Sequence, residues 1–167
     1  SKGLGVSYTL KHFPGYGNNA DTHYGAATDN RSYDEIVKND LPPFEAGIAE
    51  GAEAVLVSHN TVTNIDPDNP ASLSTAVLNL LRNELGFTGI IMTDDIAMGA
   101  VSSIDDAAVK AVLAGNDLII TTDYEESINS IKEALEDQTI DESLIDKLAF
   151  RVLAWKYYKG LIFENQK

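Results

Sequence analysis

The chain has 167 residues, with 12 Lys and Arg against 26 Asp and Glu and a formal net charge of −14. The length suffices for one domain with a hydrophobic core, and the charge excludes a nucleic-acid partner, because no Lys/Arg cluster is present to neutralise phosphates. No apolar run approaches the ~18 residues of a membrane span, so no membrane partner is expected, and the absence of cysteine excludes disulfides, thiolate catalysis and cysteine zinc sites.

Strands and helices alternate along the chain. Residues 6–10 read as a short buried strand, followed by a polar, glycine-rich segment from Lys11 to Arg31. Ser32 and Glu35 form a capping box that opens a helix. Pro42 and Pro43 interrupt the pattern, and a second helix is expected from about Phe44 to Glu50. Residues 54–58 are the second strand, and the loop from His59 to Ser72 is rich in Asn, Asp and Pro. Ser74 caps a helix running to Leu85, which Gly86 ends. Residues 90–93 are the third strand and 117–120 the fourth, separated by a helix over 105–114 with Gly115 as its stop. Helices over 125–136 and 142–159 complete the chain, the last capped by Asp141 and ended by Gly160. Apolar strands alternating with helices predict a parallel α/β sheet of four βα units plus a C-terminal helix.

Residues suited to catalysis cluster where such a sheet places them, near the C-terminal ends of the strands: Lys11 and His12, His59, Asp94, and Thr121 to Asp123. Asp21 and His23 form a D-x-H pair in a loop articulated by Gly15, Gly17 and Gly25. A carboxylate beside an imidazole can orient the ring and raise its basicity, so the pair suits proton transfer; it also suits an ordinary turn. Asp94, with Asp95 beside it, ends an apolar run and can act as nucleophile, base or metal ligand, or as a helix cap after the strand. Lys11 and His12 can donate to hydroxyls. His59 is read either as a ligand contact or as a hydrogen-bonded structural histidine at the rim. The segment 66–70 has the composition of a calcium loop without its spacing and reads as turn chemistry. Gly15-Tyr16-Gly17 lacks the ending of a phosphate loop.

Taken in order, these segments resemble glycoside hydrolase family 3, in particular its β-N-acetylglucosaminidase branch. The residues that carry the resemblance are 11–17 (KHFPGYG), Asp21-Thr22-His23, 70–74 (PASLS), 81–89 (LRNELGFTG), 93–98 (TDDIAM) and 114–117 (AGND). The resemblance implies a (β/α)₈ barrel. It implies Asp94 as catalytic nucleophile, His23 as general acid/base with Asp21 as its orienting partner, and Lys11 and His12 as contacts to sugar hydroxyls, to which the strand-end position of His59 adds a third candidate contact. It brings no metal and no cofactor. The expected activity is retaining hydrolysis of terminal N-acetylhexosamine from a glycan, through a glycosyl-enzyme on Asp94.

A complete barrel of this kind is about twice the length of this chain. By the resemblance, residues 1–167 are the C-terminal half of the catalytic domain, with the first four βα units absent, and the half-barrel alone is expected to be weak or inactive. Its expected partners are the missing half or a second copy, because a half-barrel exposes two strand edges. Three other readings stand beside hydrolysis: a non-catalytic sugar-binding or assembly module, a phosphorylase using the same dyad, and a metal-dependent hydrolase using Asp94, Asp95 and His59. Composition assigns the chain to neither cytoplasm nor exterior.

Overall fold

The computed structural model describes residues 6–17, 19, 22 and 25–162. Among these, the strands are β1 (Thr9–Phe13), β2 (Thr28–Asp29), β3 (Ala54–Val57), β4 (Thr61–Val62), β5 (Ile90–Asp95) and β6 (Leu118–Ile120). The helices are α1 (Tyr33–Asn39), α2 (Leu41–Ala49), α3 (Thr75–Asn79), α4 (Ala107–Ala114), α5 (Tyr124–Glu136) and α6 (Glu142–Tyr158). Strands β1, β3, β5 and β6 lie side by side in that order, all parallel. This is the expected arrangement of four βα units and a C-terminal helix, and a partial barrel is consistent with it. A small parallel pair, β2 with β4, joins the two polar loops and has no sign in the hydrophobic pattern.

Every residue of β3 is buried, so both faces of the sheet need cover. On one face Val55, Val57 and Ile91 pack with Phe13, Phe44 and Leu81 from the surrounding strands and helices. On the other, Ala54 and Ile90 pack against Val152 of α6, with Met92, Leu118 and Trp155 alongside. The anchor points of α6 all lie at strand beginnings. Arg151 pairs with Asp117, the residue before β6, and Trp155 Nε1 donates to Glu53, the residue before β3, at 3.1 Å. Lys159 pairs with the same Glu53, and this pairing is the main reason the Glu53 carboxyl sits below its usual range. Helix α6 therefore closes the N-terminal end of the sheet and leaves the C-terminal end of that face open.

Local chemistry explains most element boundaries. The Ser32 side chain accepts from Glu35 N while Glu35 reaches back to Ser32 N, the reciprocal capping box read in the sequence. Pro42 and Pro43 do not interrupt α2 but lie in its first turn, where backbone N–H groups have no intrahelical acceptor. Ser74 caps α3 through Val77 N. After Asn79 the backbone widens into a π turn over Leu80–Glu84, with Leu85 N donating to Leu80 O at 3.0 Å. Helix α4 starts at Ala107, two residues later than expected, because Asp106 takes a left-handed conformation (φ 57°) that no helix continues through.

Candidate active site

Strand β1 occupies Thr9–Phe13 rather than residues 6–10, so Lys11 and His12 belong to the strand instead of following it. The pairing with β3 is irregular: Leu10 lies opposite Val55 but Phe13 lies opposite Val57, three residues against two. Such a bulge breaks the alternation of side chains. Leu10 and Phe13 both join the core on the helix-covered face. His12, which regular alternation would place with Leu10, is turned instead toward β5. The Lys11–His12 peptide is cis, as is Phe13–Pro14.

Strand β5 delivers the opposing group. It pairs with β3 without irregularity, so Met92 and Asp94 share the face opposite Ile91. Asp94 ends on the open part of that face, with its Oδ2 3.7 Å from His12 Nε2 and side chains 18% and 29% exposed respectively. Its other oxygen accepts Asp95 N at 2.9 Å. Asp95 turns away to accept Ala97 N at 2.9 Å, so one acid of the pair faces the open side and the other caps the following turn. A second irregularity, between β5 and β6, is bridged by Thr93, whose Oγ1 accepts Ile120 N at 3.1 Å.

The loop after β1 is tightly placed. Gly15 has φ +124°, and a Cβ there would come within 2.8–2.9 Å of the Asp40 side chain. Asp40 is held by Arg31, which also binds the buried Asp29 through its Nη2 at 2.6 Å. Burial acts to raise the Asp29 carboxyl, but the hydrogen bonds from Arg31 outweigh it and hold Asp29 below the usual carboxylate range. Tyr16 places its ring edge-on to His12, centroids 5.6 Å apart. Lys11 and His12 line a recess of ≈ 310 Å³ along the β1 edge with Leu10, Tyr16, Pro43 and Phe44.

The structure thus brings His12 to Asp94, with Lys11 next to His12 along β1. Asp21 and His23 lie outside the described residues. His59 does not match the expectation of a substrate contact. It is 1% exposed, its Nε2 donates to Asp95 O at 2.9 Å, and its Nδ1 meets Ser72 Oγ at 2.7 Å. A carbonyl can only accept, so Nε2 carries the proton and Nδ1 accepts from the serine. Burial pushes the His59 pKa down, against the Asp95 carbonyl and the nearby carboxylates, which favours this neutral form. Both ring nitrogens are spent inside the fold, which removes His59 from the metal-ligand set with Asp94 and Asp95 as well. Asp66 accepts from Asp68 N and Asn69 N, the turn chemistry expected of that segment.

The family model described as glycosyl hydrolase family 3 N terminal domain matches residues 1–155. The chain is 38% identical over 158 residues to the β-hexosaminidase of Stenotrophomonas maltophilia (strain R551-3), a match that covers 91% of this chain and 47% of that protein. It thus spans about half the length of such relatives. Among solved structures, a glycoside hydrolase family 3 β-N-acetylglucosaminidase from Paenibacillus sp. str. FPU-7 superposes with a TM-score of 0.88 at 32% identity, over 98% of this chain and 34% of that one. A β-glucoside phosphorylase superposes with a TM-score of 0.85 at 28% identity, over 93% of this chain and 31% of that one.

Proposed function

The chain belongs to glycosyl hydrolase family 3, and on that premise we propose that it is the C-terminal half of a catalytic barrel that removes terminal N-acetylhexosamine residues from glycans with retention. The observation that carries this reading is the approach of His12 to Asp94, 3.7 Å, on the open face at the C-terminal ends of two parallel strands. Asp94 is the nucleophile: its free oxygen attacks the anomeric carbon while the bond to the leaving oxygen breaks. His23, oriented by Asp21, gives that oxygen its proton. Water then attacks the glycosyl-enzyme, His23 takes the water proton, and Asp94 is released as carboxylate. His12 and Lys11 donate to sugar hydroxyls. The names of the relatives, β-hexosaminidase and β-N-acetylglucosaminidase, support the sugar class.

The partner in this reading is the N-terminal half of the barrel. Among the described residues the outer edges of β1 and β6 carry no further strand, and such edges are sites for strand addition. The test is hydrolysis of a chromogenic β-N-acetylglucosaminide by the chain alone and by the chain supplemented with the N-terminal half of a β-hexosaminidase relative. Turnover is expected in the supplemented sample and lost in Asp94→Asn and His23→Ala. Turnover that survives Asp94→Asn refutes the assignment of the nucleophile, and no turnover in any sample favours a non-catalytic half-barrel. The likeness to a phosphorylase supports a second reading, in which phosphate replaces water; it predicts a sugar 1-phosphate when inorganic phosphate is added.

A further inference from the structure

Three consecutive polar residues follow β3, and all are buried: Ser58 is 0%, His59 1% and Asn60 0% exposed. Buried polar groups require partners, and the partners here lie on the two neighbouring strands. Toward β1, Ser58 N and Ser58 Oγ both approach Phe13 O at 2.9 Å, and Asn60 Nδ2 donates to Gly15 O at 3.2 Å. The Ser58 hydroxyl also lies against Asn60 Oδ1, which ties the two side chains together. Toward β5, His59 Nε2 donates to Asp95 O at 2.9 Å. The held carbonyls have a common placement: Phe13 immediately follows His12, and Asp95 immediately follows Asp94.

We propose that Ser58, His59 and Asn60 act as a two-sided clamp that sets the separation of His12 and Asp94, and so act as positioning residues for the reaction although none of them faces the substrate. The clamp is braced from behind. Ser72 N donates to Ser58 O and Ala71 N to Asn60 O, both at 2.9 Å, and Ser72 Oγ holds His59 Nδ1. Ser72 O is in turn held by Asn116 Nδ2 at 2.8 Å. The ladder by itself leaves the separation loosely defined, because β1 is bulged against β3 at the level of His12 and the regular β3–β5 pairing ends at Val57 and Thr93, one residue before Asp94. At these two steps the side-chain bonds supply the register that the backbone ladder does not. The catalytic consequence rests on the hydrolase reading above; the geometric claim does not.

The experiment is the crystal structure of the full chain carrying Asn60→Ala, His59→Phe or His59→Gln, with hydrolysis by the supplemented barrel as a second arm. Asn60→Ala and His59→Phe are expected to lengthen the 3.7 Å separation by about 1 Å or more, a displacement that costs on the order of 10²-fold in rate. The β3–β5 pairing at Ile90–Met92 should stay unchanged. His59→Gln, which keeps an N–H donor toward Asp95 O, is expected to restore the separation. In the second arm kcat falls and KM holds. If both disrupting variants lower stability but keep the separation, the residues are only structural and the proposal is overturned. If His59→Phe does not fold, Asn60→Ala decides, since it removes only the bond to Gly15 O and the tie to the Ser58 hydroxyl, which keeps its contact with Phe13 O. A lengthened separation with no loss of turnover overturns the positioning role in the reaction.

Discussion

Replacing Asp117 by Ala tests how the lower end of the sheet is held. The Asp117 side chain is 0% exposed and satisfies three donors: Arg82 Nη2 at 2.7 Å, Ile91 N at 2.8 Å and Arg151 Nη1 at 3.0 Å. Arg82 cannot swing into water when its partner goes, because its Nη1 is also tied to Phe87 O at 2.7 Å and Gly89 O at 2.8 Å. Burial presses Arg82 below its usual range, Asp117 opposes that, and the neighbouring Arg151 reinforces it. Removing one partner of a buried ion pair costs about 3–5 kcal/mol, and an unpaired buried N–H costs a further ~1–3. Arg151, 23% exposed, can recover part of this by reaching solvent, so we expect about 4 kcal/mol. For a domain of this size that is a fall in Tm of roughly 8–16 °C, measured by circular dichroism alongside urea midpoints. Asp117→Asn, which can still accept from Ile91 N, should lose about half as much. A loss below ~1 kcal/mol for Asp117→Ala, the range of an exposed ion pair, would refute the reasoning.

Gly89→Ala should destabilise by about 1–3 kcal/mol, since its Cβ would lie 2.5 Å from Glu53 O and 2.6 Å from the Phe87 ring. Gly47→Ala should be near neutral in the same urea titration: its Cβ meets Leu10 Cδ1 at 2.6 Å, but that side chain can turn aside, and a helical Ala regains roughly 1 kcal/mol over Gly. Thr93→Val keeps the shape of the side chain and removes the acceptor of Ile120 N, so hydrogen exchange at Ile120 should accelerate and stability drop by about 1–3 kcal/mol. The Asp29 carboxyl has a folded pKa below its unfolded value. Its contribution is therefore full above about pH 4 and is lost as pH falls through the folded value; Arg31→Met should flatten that acid limb, and an unchanged limb would count against the pair.

The sequence carries the fold where the controlling interactions are local. Residues 54–58 and 90–93 read as strands because short apolar runs must be buried on both faces, and Ser32 with Glu35 marks a helix start because both halves of the capping box are three residues apart. Strand β1 is misplaced by three residues for the opposite reason. Its apolar run ends at Leu10, whereas pairing with Val57, more than forty positions away, draws Lys11 and His12 into the ladder. Asp94 is legible as the polar residue ending an apolar run. His59 fits the same description and is misjudged by it, because its partners Ser72 and Asp95 lie 13 and 36 residues further along the chain. No local signal separates a strand-end histidine that faces a ligand from one that braces its neighbours.

The bulge in β1 makes chain length itself a determinant of the site. A deletion of one residue between Leu10 and Phe13 would regularise the ladder opposite Val55 and Val57 and would cost little composition. It would also leave one polar side chain where the structure has two, midway between two core residues and on the face shared with Asp94. A homologue could therefore retain the lysine or the histidine, the following proline and the aspartate, align well throughout, and still present a different set of groups to the carboxylate. In comparing such sequences, a single gap at this point carries more meaning than several substitutions around it.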